Sequence, residues 1–375
     1  MTGPVVIAAG GTGGHLFPAI AVAEELLSRG REVVAVTDKR GGDLATRLEG
    51  VAVHRLHASA MSGCSLSGKI VGAVALLRGM LEARRLLRQL TPSAVVGFGG
   101  YPTVPPLFAA NQIGAMTVIH EQNAVLGRAN RMLSSRVRLI ATSFDRTEGT
   151  VGVETLTCGN PVRSSIASLH DKPYDPAGQD GRFRLFVFGG SQGARVFSDV
   201  LPDALAALPA ALRARIELIQ QCRHEDIDRV RARFDEMGVA ATVATFFDDM
   251  DAQLERAHLV IGRAGASTVA ELSVAGRPAL LVPYPHATDD HQTENARAVE
   301  AAGAGWLMPQ TGFSAEALAA RLEAFMTCPD TLIRAAAAGL AWSRPDAAVR
   351  LADAIDRLTG SNGHHGGHDM REQAA

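Results

Sequence analysis

Three clusters of small residues can bring backbone amides against a ligand: GGTGGH at 10–15, GFGGYP at 97–102 and GGSQGA at 189–194. Each follows a short apolar run, and the first and third lead into helix-like stretches. Glycine lets backbone N–H groups approach a phosphate or a sugar hydroxyl with no Cβ in the way. A helix N-terminus adds partial positive charge, worth ~0.3–1 kcal/mol per anion contact and up to ~2 when partly buried. A departing nucleoside diphosphate gains negative charge, so such a turn favours bond breaking as well as binding. His15 closes the first turn. An imidazole with an ordinary pKa of about 6.5 suits removal of a hydroxyl proton near neutrality; its plainer role is to cap the helix or orient a bound group. Glu121, in HEQN at 120–123, is the alternative base, or else an internal ion-pair or helix-cap partner.

The second half carries a different constellation. Residues 261–271 read IGRAGASTVAE, a strand end, a small-residue turn and a helix that holds Glu271. An ionised carboxylate can accept from both hydroxyls of a ribose. Alone, Glu271 reads as a solvated helix residue; beside a glycine-containing turn it suits the ribose. His286, Asp289, Asp290, His291 and Gln292 crowd the next loop. These types ligate metals, but they also recognise sugar hydroxyls. The two D-x-D triplets, Asp226–Asp228 and Asp249–Asp251, are too short a pattern to assign a metal, and none is assigned. A dinucleotide site competes for the first turn: Gly11 and Gly13 fit GxGxxG, and Asp38 follows at the right distance, but Leu16 stands where glycine or alanine is required. Two glycine turns in two halves suit a ligand held between them better than one bound NAD.

These groups need elements to hold them. Apolar runs at 5–9, 32–37, 94–98, 116–120 and 139–142 alternate with helix-like stretches, the first at 16–29. The pattern restarts at 183–188 and continues at 216–220, 241–245, 259–262 and 278–282, with a helix at 196–208. Alternation of this kind predicts an α/β chain of two Rossmann-like domains. The polar, Pro- and Gly-containing stretch 171–181 places the boundary between 159 and 181. The expected division is residues 1–163, an acceptor- and membrane-facing domain; 164–340, a donor domain; 341–360, a helix returning to one of them; and 361–375, a tail with too few apolar residues to fold.

Composition sets bounds. The 375 residues are 47% hydrophobic and 20% charged, which fits two soluble domains, and the net charge of −2 argues against a general nucleic-acid binder. Cys64, Cys158, Cys222 and Cys328 are scattered without a CxxC pair, so neither a disulfide framework nor a thiolate metal site is expected. The N-terminus has no basic residue before its apolar run and reads as a first strand, not a signal peptide. No apolar run approaches the roughly 18–20 residues of a membrane span, so any membrane contact is peripheral. Residues 70–81, IVGAVALLRGML, are apolar on most helical faces and flanked by Lys69, Arg78, Arg84, Arg85 and Arg88. That pattern fits equally an anionic membrane surface, reached through Lys69, Ile70, Val74, Leu77 and Leu81, and a helix packed between the sheet and its neighbours.

Taken together, GGTGGHLFPAIAVAEEL, GFGGYP, HEQNAVLGRAN, GNPVR, FGGSQGA, FFDDM, RAGASTVAEL and the loop PxxHATDDHQTENA resemble the MurG family over about residues 4–358. These peptidoglycan enzymes add GlcNAc to lipid I to form lipid II, and so serve wall growth, cell shape and division. The resemblance implies a GT-B fold and inversion at the anomeric carbon without a cofactor. It places the acceptor mainly in the N-terminal domain, UDP-GlcNAc mainly in the C-terminal domain, and the enzyme at the cytoplasmic face of the cell membrane. It also implies site residues. Thr12, Gly13 and Gly14 would line the first loop, Asn123 would face the cleft, and Arg163 and Ser191 would contact the donor. The backbone at Phe247 would meet the uracil; Ala266, Ser267, Thr268, Val269, Ala270 and Glu271 would hold ribose and phosphates; and Gln292 would contact GlcNAc. Another UDP-sugar glycosyltransferase, an epimerase, or a non-catalytic nucleotide-sugar-binding scaffold at the membrane would share many of these features.

Overall fold

The computed structural model describes residues 3–10, 13–38, 48, 50–57, 66–150, 152–176, 181–190 and 193–360, without the side chains of 66–71 and 73. Thr12, Ser191, the side chains of Lys69 and Ile70, and the tail 361–375 therefore lie outside the described residues.

The first half contributes β1 (Val5–Ala8), β2 (Val33–Thr37), β3 (Ala52–Arg55), β4 (Ala94–Gly97), β5 (Met116–Glu121), β6 (Leu139–Thr142) and β7 (Thr155–Thr157). The second contributes β8 (Phe183–Phe188), β9 (Ile216–Gln221), β10 (Ala240–Ala244), β11 (Leu259–Gly262), β12 (Ala279–Leu281) and β13 (Gly305–Leu307). They form two sheets, ordered β3-β2-β1-β4-β5-β6-β7 and β10-β9-β8-β11-β12-β13, with every pairing parallel.

Strand composition explains why helices cover both faces of each sheet. Val5 and Ile7 of β1 enter one apolar cluster while Val6 and Ala8 enter another. In β8, Leu185 and Val187 face one way, Phe186 and Phe188 the other. With side chains alternating across the pleat, an unbroken apolar run must be buried on both sides. β3, β7 and β13 escape the sequence pattern. Each is a short edge strand that is only partly buried, so its residues form no continuous apolar run.

The helix after β1 begins earlier than its apolar pattern suggests. It spans Gly13–Ser28, so His15 lies in its first turn. The last helix, Ala347–Thr359, packs on the first sheet: Leu351, Ala352, Ala354 and Ile355 join the cluster that holds Val5 and Ile7. Arg29 Nη1 reaches Asp353 at 2.7 Å and Asp356 at 3.0 Å, and Arg31 Nη1 reaches Asp356 at 3.1 Å.

The helix Leu66–Leu90 lies over the other face of that sheet. Ala83 and Leu87 are buried there, and Leu76 and Met80 pack against the same cluster. Val74, Leu77 and Leu81 remain 59%, 62% and 60% exposed, a stripe at helical spacing that no described residue covers.

Candidate active site

In both sheets the strand order reverses beside the first strand, between β1 and β4 and between β8 and β11. Open α/β sheets bind ligands at such switch points, beyond the carboxyl ends of the strands. The glycine turns after β1, β4 and β8 and the Arg263-Ala264-Gly265 turn after β11 all sit at these ends.

A cavity of about 300 Å³ opens between the halves. His15, Gly99, Glu121 and Asn123 line it from the first half, Asp289 and His291 from the second. Gly99 is essential to the shape. Its φ is +86°, and a Cβ there would stand 3.1 Å from both Cε1 and Nδ1 of His15. The imidazole thus lies against bare backbone, with Nδ1 3.2 Å from Gln122 Oε1.

Glu121 is buried, and its oxygens are occupied. Oε1 accepts from the Asn123 N–H at 3.1 Å and Asn123 Nδ2 at 3.2 Å; Oε2 accepts from the Gly127 N–H at 2.9 Å and Asn130 Nδ2 at 2.8 Å. Four donors hold it as the organiser of the 121–130 loop.

The two halves are joined across the cleft. The wholly buried Asn295 donates through Nδ2 to Asn123 Oδ1 at 3.1 Å and to the Ala264 carbonyl at 3.0 Å, and its Oδ1 accepts from the Ala124 N–H at 2.9 Å. Asp289 pairs with Arg128 at 3.4 Å and lies 3.9 Å from Arg131. Asp289 and Asp290 have φ of +53° and +51°, left-handed values uncommon outside glycine.

Arg163 spans the halves too. Its guanidinium lies 4.9 Å from the centre of the Phe17 ring and donates through Nη2 to Glu271 Oε1 at 3.0 Å. Glu271 is only 7% exposed, so it is no solvated helix residue. Burial pushes its carboxyl above the usual range, while Arg163 pulls the other way.

The helix Ala266–Val274 divides the stretch expected to hold ribose and phosphates. Val269 enters the core with Ala270 packed against it, and Ala266 is buried. Ala266 and Ala270 can therefore serve a ligand through backbone alone, and Val269 by holding the helix in place. Ser267 Oγ is buried and finds no partner among the described residues, and Thr268 is half-buried. Phe247 packs edge-on against Phe186, which leaves its backbone for contact. Gln292 Oε1 accepts from the Tyr284 N–H at 2.9 Å, and His291 Nδ1 lies 2.6 Å from the Thr288 carbonyl. Gly13 and Gly14 occupy the first helical turn beside His15.

The sequence pattern leaves Gln122 and Asn295 unmarked as site residues. A signal for Gln122 exists: it stands two residues after His120 at the end of β5, so alternation turns both to one side and Glu121 to the other. Asn295 carries no such signal, since its partners come from the other half.

Comparison with known proteins decides the family. Residues 5–142 match the glycosyltransferase family 28 N-terminal domain, and residues 184–357 match the glycosyltransferase family 28 C-terminal domain. A Rhodospirillum centenum protein named UDP-N-acetylglucosamine–N-acetylmuramyl-(pentapeptide) pyrophosphoryl-undecaprenol N-acetylglucosamine transferase is 53% identical over 99% of both chains. A Rhodospirillum rubrum protein of the same name is 50% identical over 94% of this chain and 91% of its own. The chain belongs to the MurG family. The crystal structure of Acinetobacter baumannii MurG, 29% identical, superposes with a TM-score of 0.76 over 94% of this chain and 99% of its own. The MurG architecture, GT-B with two Rossmann-like domains, is therefore that of this chain. The dinucleotide reading of the first turn falls with it. Asp38, which would have held a ribose there, is buried near Gly10. A putative UDP-N-acetylglucosamine 2-epimerase from Listeria monocytogenes, 16% identical with a TM-score of 0.66, shares the fold.

Proposed function

We propose that the chain transfers GlcNAc from UDP-GlcNAc to the 4-hydroxyl of MurNAc in lipid I, with inversion, and releases UDP and lipid II. The observation that carries this reading is the cavity between the halves, lined by His15 on one side and by Thr288, Asp289 and His291 on the other. His15 accepts the hydroxyl proton as the oxygen attacks the anomeric carbon. The bond to the diphosphate breaks on the opposite side, and UDP leaves with the electron pair. A single displacement needs one base and no enzyme nucleophile. Glu121, with both oxygens taken up by its own loop, serves that loop.

The donor lies on the second half. Glu271 accepts from the ribose hydroxyls, with Arg163 holding its carboxylate. The free N–H groups and Ser267 Oγ at the start of the helix Ala266–Val274 meet the diphosphate, whose charge grows as the bond breaks. Asn123, Gly13 and Gly14 complete the cleft, the Phe247 backbone meets uracil, and Gln292 meets GlcNAc.

Among the described residues, no helix is long and apolar enough to cross a membrane. Val74, Leu77 and Leu81, with the exposed Arg78, Arg85 and Arg88, suit the cytoplasmic surface of an anionic inner membrane, where a polyprenyl-anchored acceptor resides. Incubation with radiolabelled UDP-GlcNAc and a soluble lipid I analogue tests the proposal. Label in a disaccharide product supports it. Epimerised nucleotide sugar without acceptor, or binding without turnover, would replace it with the epimerase or the scaffold.

A further inference from the structure

The hydrogen bonds behind His15 fix more than its position. Two backbone carbonyls, which can only accept, anchor them. His120 Nε2 lies 2.9 Å from the Gly159 carbonyl, so Nε2 carries a proton. His120 is wholly buried, and that burial lowers its pKa to about 4, so near neutrality it holds one proton and its Nδ1 is bare.

Gln122 reads that bare nitrogen. Its Nε2 donates to the Phe98 carbonyl at 2.8 Å and faces His120 Nδ1 at 3.2 Å. Both amide hydrogens are committed, so the side chain cannot be reversed without setting an oxygen against an oxygen and a lone pair. Gln122 Oε1 is thereby presented to His15 Nδ1 at 3.2 Å. An amide oxygen accepts only, so His15 Nδ1 must donate. The remaining ring nitrogen, Nε2, meets no hydrogen-bonding partner among the described residues, and the ring lines the cavity.

We infer that Gln122 is a positioning residue that selects the tautomer of His15: the relay from Gly159 through His120 and Gln122 keeps the proton on Nδ1 and leaves the lone pair on Nε2. This rests on the reading of His15 as the base and adds which nitrogen performs that role. A free imidazole divides its proton between two nitrogens, and only the tautomer with a bare nitrogen toward the acceptor can take the hydroxyl proton. The relay also explains why His120, which does not line the cavity, is paired at both ring nitrogens.

Nitrogen chemical shifts of His15 in the full chain, labelled at histidine and assigned by loss of the signal in His15→Ala, read the tautomer directly. The expected spectrum shows a protonated Nδ1 and a bare Nε2. In Gln122→Met, which keeps the length and removes the amide, the Nε2–H form should gain population. Its kcat should fall roughly 10²-fold, within the range that positioned proton transfer supplies, with KM for UDP-GlcNAc unchanged. A wild-type spectrum with the proton on Nε2, or a Gln122→Met spectrum identical to wild type, overturns the inference. The wild-type spectrum is informative even if a variant fails to fold, and it stands apart from the base assignment, which the turnover of His15→Ala tests.

Discussion

The Arg163 guanidinium and the Glu271 carboxylate meet at 3.0 Å, joining the end of the first half to the helix Ala266–Val274 of the second. Glu271 is buried and Arg163 partly so, which makes this pair more consequential than a surface bridge. Because Arg163 occupies one carboxylate oxygen, the proposed ribose contact falls to the other. Glu271→Ala should weaken UDP binding by roughly 1–3 kcal/mol, the scale for lost hydrogen bonds to a charged group. Titration calorimetry with UDP checks it; unchanged affinity removes the ribose role.

Arg163→Ala leaves a buried carboxylate without its cation. The expected cost in stability approaches the roughly 3–5 kcal/mol of a broken buried pair near neutral pH. Burial already raises the Glu271 pKa, and losing Arg163 raises it further. A group with a raised folded pKa favours the folded state below its unfolded pKa and loses that contribution as pH rises through the folded value. Urea unfolding should therefore show a smaller deficit at about pH 5 than at about pH 8. An equal deficit at both would count against a charged Glu271 as the cause.

His15→Ala should lower kcat by roughly 10²–10⁴-fold, the usual contribution of a positioned base, and leave donor affinity nearly unchanged. Steady-state kinetics with a lipid I analogue measures both. Parallel loss of turnover and of UDP binding would make His15 a structural residue of the first turn.

Two histidines predict acid sensitivity. His120 and His258 both have pKa values lowered from 6.5 to about 4, chiefly by burial. Between those values the unfolded chain holds a proton that the folded chain does not, so stability is full above about pH 6.5 and falls as pH drops toward about 4. His258 Nδ1 accepts from the Arg184 N–H at 3.0 Å, a role that asparagine can also fill. His258→Asn should flatten the fall in Tm between about pH 6.5 and about pH 5. A slope unchanged from wild type would show that other groups govern it.

The stripe Val74, Leu77 and Leu81 predicts vesicle binding. Leu77→Asp with Leu81→Asp should reduce cosedimentation with anionic vesicles at least about tenfold, since each leucine contributes ~1.5–3 kcal/mol when fully buried. Turnover with a soluble acceptor should be unaffected. Undiminished cosedimentation would assign the stripe to another purpose.

Much of this molecule was legible before any coordinates. The apolar runs that became β1, β4 and β11 are continuous because both faces of each strand are buried, and burial of that kind writes itself into consecutive residues. The glycine turns that end them were equally visible, since a backbone in close contact with a ring or a ligand excludes a Cβ, as Gly99 against His15 shows. The edge strands β3, β7 and β13 were not, because they are only partly buried and so carry no continuous apolar run.

The sequence by itself determined the two-domain α/β architecture, the glycine turns and the residue types available for catalysis, because local chain geometry and burial constrain neighbouring residues. Tertiary structure alone decided how those residues act. It turned Glu121 into a loop anchor and Val269 into core, set Arg163 on Glu271 and Asn295 on Asn123 from the other half of the chain, and put Gln122 behind His15. Each of these depends on a hydrogen bond or contact between segments remote in sequence or hidden within a fold. The direction of a side chain, unlike its type, is set by what the packed neighbours leave open.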